Sequence, residues 1–191
     1  WAVIQPLATM FVFTVFLGRL AKMPSDGIPY PIFSYLGLLP WTYFANAVTR
    51  SGASLVGNSN LLSKVYFPRL LIPMSGTLSA LADFAIAFGI LILLMLWYGF
   101  RPAASAWVLL PLSVLMTFAA FGVGMFFAAL NVRYRDVQHA IPFLMQIWMY
   151  ATPVVYPLVV LPPSLRALAR LNPMSGVVEA FRACLLGTPL S

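Results

Sequence analysis

Charge is the scarcest commodity in this chain. Only 8% of its 191 residues are charged, four of them acidic, while 62% are hydrophobic. Soluble domains carry about 25% charged and about 45–50% apolar residues. A folded surface needs charge to stay solvated, so a water-soluble fold is excluded and the class is an all-α integral membrane protein. The single cysteine, Cys184, excludes an internal disulfide framework and a multi-cysteine metal site. The single histidine, His139, and the lack of H-E-x-x-H leave no histidine metal cluster. No acids stand at metal spacing, which argues against a metal-dependent intramembrane transferase. No G-x-x-x-x-G-K-[ST] occurs, so this chain does not cradle ATP phosphates itself. The sequence therefore offers no catalytic residue, no metal ligand set and no cofactor site of its own.

What is there is apolar sequence in long runs. A spanning helix needs about 20 mostly apolar residues, and five runs qualify: 1–20, 32–57, 75–98, 106–130 and 139–158. Clusters of Pro, Gly, Asn and Asp separate them, as in "KMPSDGIPYP", "YGFRPAAS" and "NVRYRDV". The region 162–187 differs. Two short helices fit it, one after Ser164 and one from near Ser175 to Gly187, with Asn172-Pro173 as the break. Neither is long enough to span, so re-entrant or interfacial helices are expected. The chain begins at Trp1, apolar from the start, and both ends read as cut from a longer polypeptide.

The net charge of +7 lies mostly in the breaks between runs. That placement suits lipid headgroups and cytoplasm rather than nucleic acid. Lys64, Arg69, Arg133, Arg135 and the nearby Arg50 fall on one side; Arg19, Lys22 and Arg101 fall on the other, if the tail is set aside. The positive-inside rule then makes the Lys64 loop cytoplasmic, with Asp26, Arg101 and Ser164 outside.

Several polar residues inside the runs stand out. Asp83 is the one acid within a run, and Arg50 is its natural partner: each lies about 10–12 Å in from the same loop at 1.5 Å per residue. An inter-helix ion pair is the plainer reading and a proton or ion site the sharper one. Gln5, Thr9, Val12, Phe13 and Phe16 recur at helical spacing on one face of the first run. The fifth run holds Gln146, Tyr150, Thr152 and Tyr156, with Pro142, Pro153 and Pro157 expected to kink it. Interfacial aromatics and packing explain this set; so does a conduit wall in which rings meet sugar faces. Ala120, Gly124 and Ala128 recur at i+4 in the fourth run, a spacing that lets helices approach closely in lipid.

The segment 58–73, "NSNLLSKVYFPRLLIP", breaks the greasiest part of the chain. Asn58 and Asn60 read as N-caps. Leu61, Leu62 and Val65 give an apolar side, with Tyr66, Phe67, Lys64 and Arg69 around it, and Pro68 stops the helix. Such a piece lies on a membrane surface or presses into a partner's groove.

At this point the chain resembles the membrane (permease) subunits of type-2 bacterial ABC exporters of O-antigen, capsular polysaccharide and teichoic acid. The likeness rests on an ordered set: "WAVIQPL", "YLGLLPWTYFANAV", "NSNLLSKVYFPRLLIP", "ALNVRYRDV", "ATPVVYP" and "LNPMSGVVEAFR". It implies that 58–73 is a coupling helix docking on a separate ATPase. It implies a second cytoplasmic loop at Asn131–Val137, with Arg133 and Arg135, and re-entrant helices on the outer side over 162–187. It further implies six spans, the sixth lying beyond Ser191. The subunit would be a homodimer with two ATP-binding subunits, which hold the ATP and Mg, in the bacterial inner (plasma) membrane, and would move a lipid-linked glycan. Gln5, Thr9, Phe13, Phe16, Gln146, Tyr150, Thr152 and Tyr156 are the expected channel lining. The rivals are an ABC exporter of drugs or small lipids, a proton-coupled carrier, which would need more membrane acids than Asp83, and an intramembrane transferase.

Overall fold

The computed structural model describes residues 3–20, 28–58, 68–100, 103–156, 162, 166, 167, 169 and 171–187. Every regular element among the described residues is helical. Helix α1 (Ile4–Phe13) widens into a π-helical stretch, Thr14–Leu20. Then come α2 (Tyr30–Gly57), α3 (Leu71–Trp97), a 3-10 turn (Ala104–Val108) leading into α4 (Leu109–Arg133), α5 (Val137–Ala151) and α6 (Pro173–Leu186). Among the described residues, two stretches are long and apolar enough to cross a bilayer, Leu71–Trp97 and Ser105–Arg133, and Ile4–Leu20 is a shorter apolar helix.

Local chemistry sets the helix ends. At the end of α3, Gly99 takes φ 76°. The Phe100 N–H then donates to the Met95 carbonyl and the Gly99 N–H to that of Leu96, a paired closure that satisfies carbonyls the helix leaves open. Asn172 is not merely a break. Its side chain accepts from the Met174 N–H and caps α6, with Pro173 in the first helical position, so α6 starts ahead of the expected Ser175. Asn58 lies at the end of α2, and the helix it was expected to cap, over 59–67, lies outside the described residues. The Asn58 amide nitrogen donates to the Ser54 carbonyl and closes α2. Leu71–Pro73 belong to α3, which starts four residues earlier than expected.

Helix α5 ends at Ala151 rather than kinking and running on to 158. Pro153 has no N–H and disfavours helical geometry at Thr152. Thr152 and Tyr156 therefore lie beyond the helix that carries Gln146 and Tyr150.

The chain divides into two compact units. Unit 1 comprises Trp1–Thr42, Phe84–Leu112 and Met149–Ser191. Its core is built around α2, on which residues 32–41 are all buried. Buried with it in this unit are Phe84, Ala87, Leu91 and Met95 of α3, and Met174, Val178, Phe181 and Leu185 of α6. Both sets follow the helical spacing of a core-facing stripe. Phe84 and Phe181 meet edge-on at 6.1 Å, and the Tyr35 hydroxyl donates to the Ala87 carbonyl. The 3-10 turn serves the end of α6: the Ala103 N–H and Ser105 hydroxyl donate to the Leu185 and Cys184 carbonyls.

Unit 2 comprises Tyr43–Asp83 and Ser113–Trp148. Small residues set its spacing. A Cβ on Gly124 would lie 2.6 Å from Ser51 Cβ, and one on Gly52 would lie 2.7 Å from Ile141 Cδ1. Ala120 and Ala128 are buried, so the i+4 stripe of α4 packs inside this unit. Tyr43 donates to the Thr117 hydroxyl, and Phe44 meets Trp148 edge-on.

In unit 1 the closest approach is at Gly37, where a Cβ would stand 2.1 Å from the Val154 carbonyl oxygen. That neighbour is backbone and has little room to give. Gly37→Ala is expected to lower stability by about 1–3 kcal/mol, the usual cost of overpacking. Gly122→Ala, whose Cβ meets nothing within 4 Å, is expected to be neutral or to gain up to about 1 kcal/mol of helix propensity. Thermal unfolding of both variants in one detergent checks this; equal melting temperatures would contradict the close approach at Gly37.

Candidate functional site

The residues singled out from the sequence fall into three places. Leu61, Leu62, Lys64, Val65, Tyr66 and Phe67 lie outside the described residues. Arg69 is exposed just ahead of α3. Arg133 closes α4, and Arg135 lies in the turn 134–136; both are exposed. The Arg133 guanidinium sits 5.6 Å from the Tyr134 ring centroid. The turn is short because the Tyr134 N–H still bonds the Leu130 carbonyl, and the Tyr134 carbonyl already accepts from Val137.

The second place is the pair of helices read as a conduit wall. Gln5 is exposed and Thr9 half-buried, and the Thr9 hydroxyl donates to the Gln5 carbonyl. Thr14 does the same to Met10. Phe13 ends the α-helical register, and Phe16 lies in the π stretch, 59% exposed. A π turn closes i to i+5, so Phe16 does not continue the face of Gln5, Thr9 and Phe13. The Gly18 backbone there packs on the Tyr30 ring. On α5, Gln146 and Tyr150 are exposed. Tyr156 is half-buried and donates to the Tyr150 carbonyl. Thr152 has no exposed surface; its hydroxyl accepts from the Asn172 amide. It anchors the start of α6 and lines no open surface of this chain.

The third place is the ion pair. Arg50 donates through Nη2 to Asp83 Oδ2 at 2.6 Å and through Nη1 to the Ser79 hydroxyl at 2.9 Å. The pair is part-exposed, 41% and 34% by side chain. A Cβ on Gly76 would lie 3.0–3.1 Å from the backbone of Arg50 and Ser51, so the two helices touch there. The guanidinium then reaches along α3 toward its middle. Because α3 starts at Leu71, Asp83 stands about 18 Å from that end, deeper than the early boundary implied.

Sequence reasoning missed Arg182, which it counted only as a tail charge. Arg182 is buried in unit 1. Its Nη1 donates to the Pro153 carbonyl at 3.0 Å and its Nη2 to that of Val154 at 2.5 Å. Its Cζ lies 3.9 Å from the Phe33 ring centroid. The Tyr30 hydroxyl takes the next carbonyl, Val155, at 2.8 Å. Three carbonyls released by the end of α5 are thus met by side chains of α6 and α2. It also missed Asn131, which is buried where α4 ends. Asn131 donates to the Gly52 carbonyl and accepts from the Gln138 N–H. The signal available was a lone amide side chain at the end of an otherwise apolar helix.

The ion pair gives a direct test. A charge at the centre of a membrane helix costs roughly 2.5–3.5 kcal/mol on insertion scales, and removing one partner strands the other. Asp83→Leu is expected to destabilise by about 1–3 kcal/mol, less than for a fully buried pair because both side chains are part-exposed on this chain. Arg50→Met combined with Asp83→Leu is expected to recover most of that loss. Unfolding in mixed detergent micelles measures both; a double variant no better than the single one would rule out a compensating pair.

The comparisons with known proteins follow this geometry along its length. The ABC-2 type transporter family matches residues 1–186. The O-antigen export system permease protein RfbA of Myxococcus xanthus is 32% identical over 188 residues, covering 96% of this chain and 70% of the relative. RfbA of Klebsiella pneumoniae is 26% identical over 194 residues, covering 100% of this chain and 73% of the relative. The polysialic acid transport protein KpsM of Escherichia coli is 26% identical over 192 residues, covering 97% and 72%. The chain belongs to the ABC-2 type transporter family, whose members are membrane transport subunits rather than enzymes.

Proposed function

We propose that this chain is the permease subunit of an ATP-driven exporter that moves a lipid-linked polysaccharide, of the O-antigen or capsule class, across the bacterial inner membrane. One observation carries the substrate class: the relatives that match nearly the whole chain are named for O-antigen export and polysialic acid transport. The chain has no phosphate-cradling glycine loop, so a separate ATP-binding subunit supplies the hydrolysis. Two copies of each subunit make the working unit, with the long apolar helices of this chain as spans.

In this reading 58–73 and the Arg133–Asp136 turn face the cytoplasm and the ATPase, while 162–187 lies on the outer side. The exposed Gln5, Gln146 and Tyr150, with the half-buried Thr9, Phe13 and Tyr156, supply the glycan path. Aromatic rings suit it because they offer rigid, apolar contact with a polar edge. The rival in which the cargo is a drug or small lipid shares the family but not the names of these relatives. A proton-coupled carrier is disfavoured because Asp83 is already bonded to Arg50.

The coupling segment is the place to test this. Truncating a buried anchor at a small interface costs roughly 1–3 kcal/mol, about ten- to hundredfold in affinity. Leu62→Asp is expected to release the ATPase from the permease, or to uncouple hydrolysis from export, while the chain still inserts. Lys64→Ala is expected to do less, because an exposed charge contributes little. Co-purification of the two subunits, with ATP hydrolysis and glycan export in reconstituted vesicles, reads both. Full export by Leu62→Asp would show that the segment is only a loop and would remove the mechanical support for an ATP-driven exporter. Labelling of a cysteine at position 64 by an impermeant thiol reagent outside intact cells, after replacing Cys184, would overturn the orientation.

A further inference from the structure

One side chain in unit 2, carried by α4, bonds to two further helices at once. Asn131, near the end of α4, has no exposed surface. Its amide nitrogen donates to the Gly52 carbonyl of α2, and its oxygen accepts from the backbone N–H of Gln138, both at 3.2 Å. Gln138 is the second residue of α5. First-turn amides have no partner inside their own helix, so Asn131 caps α5 from outside while holding α2. The surroundings are otherwise apolar and tight. A Cβ on Gly52 would meet Ile141 Cδ1 at 2.7 Å and Phe127 Cβ at 3.2 Å. In such a setting two directional bonds fix a position that apolar surfaces alone would let slide.

The location gives this clamp a consequence. Between Asn131 and Gln138 the chain makes the turn that presents Arg133 and Arg135. On its other side α2 runs from Gly52 to Gly57 and leads directly into 59–67. The two segments proposed to face the ATPase therefore share one buried anchor.

We propose that Asn131 is a positioning residue that makes the Arg133–Asp136 turn and the last turns of α2 move as one body. A displacement imposed by the ATPase at either loop then reaches both. The inference rests on the proposed function for the identity of the motor, but the link itself does not. A coupling role also needs evidence beyond spatial intermediacy, and the chemistry of Asn131 allows its two bonds to be cut separately. Asn131→Asp keeps an acceptor for the Gln138 N–H and sets an oxygen against the Gly52 carbonyl. Gln138→Pro removes the N–H at a first-turn position where proline is tolerated and leaves the donation to Gly52 in place.

The experiment has two arms. In the purified permease alone, hydrogen exchange is measured at the amides of 54–57 in α2. Gln138→Pro, a change in α5, is expected to raise exchange there. Unchanged exchange overturns the link, whatever becomes of the ATPase reading. In permease–ATPase complexes reconstituted with lipid-linked glycan, both variants are expected to assemble and to hydrolyse ATP near the wild-type rate. Glycan exported per ATP is expected to fall at least about fivefold, the low end of ordinary coupling between sites. Wild-type export per ATP in both variants overturns the coupling role, and failure of both to insert or assemble makes Asn131 a folding residue and overturns it too. A wild-type chain that binds no ATPase, with exchange at 54–57 still responding, would instead overturn the proposed function and the coupling role together and leave the clamp standing.

Discussion

The close approach of neighbouring backbones to α2 is the constraint on which the rest depends. A helix buried all round, as α2 is over residues 32–41, has no polar face to turn outward, and its neighbours must meet it at short range. They do so where side chains are missing or small: at Gly37 in unit 1, and at Gly52, Gly76 and Gly124 in unit 2. In lipid the hydrophobic effect gives helices little reason to prefer one another over acyl chains. Close van der Waals contact and internal hydrogen bonds must hold them together. Removing Cβ atoms allows both, because it brings foreign carbonyls within reach of side-chain donors.

The polar bonds in this protein bear that out. Tyr30, Tyr35, Asn131 and Arg182 all donate to a backbone carbonyl of another segment. The carbonyls at Pro153, Val154 and Val155 are open because α5 stops before them. An unmet carbonyl in apolar surroundings costs several kcal/mol, so the break after Ala151 and the burial of Arg182 are two halves of one arrangement. Arg50 differs: it meets α3 between helix ends, where the backbone carbonyls are already used, and finds a hydroxyl and a carboxylate instead.

This separates what could be read from the sequence and what could not. The apolar runs, the glycine closing α3 and the Asn-Arg-Asp cluster ending α4 are local signals, and helices stop there. Arg50 and Asp83 were legible as partners because each is anomalous in its run. Local chemistry misled where one residue type serves two ends of a helix. Asn58 reads as the start of a helix and also closes the one before it. Pro153 reads as a kink and is a stop. The stripe of the first run assumed one helical period, which the widening at Thr14 alters for Phe16. Thr152, Asn131 and Arg182 were opaque for another reason. Their partners lie 20, 79 and 28–29 residues away, and nothing in a local pattern says which distant carbonyl or amide will arrive.

The distribution of polar groups also bears on how a glycan path could work. A surface that conducts must hold its cargo strongly enough to admit it and weakly enough to release it. Arg182 of unit 1 is buried and committed to carbonyls. The Thr9 and Thr14 hydroxyls are spent on their own helix, four residues back. What α1 and α5 leave exposed is Gln5, His139 at the start of α5, Gln146, the Tyr150 ring and large apolar side chains such as Phe11 and Phe143. Neutral amides and aromatic rings make many weak contacts, none of which would trap a sugar chain as a fixed charge would. On the proposed reading, the charges that hold helices together sit on α2, α3 and α6, and α1 and α5 offer the polymer mainly amides and rings.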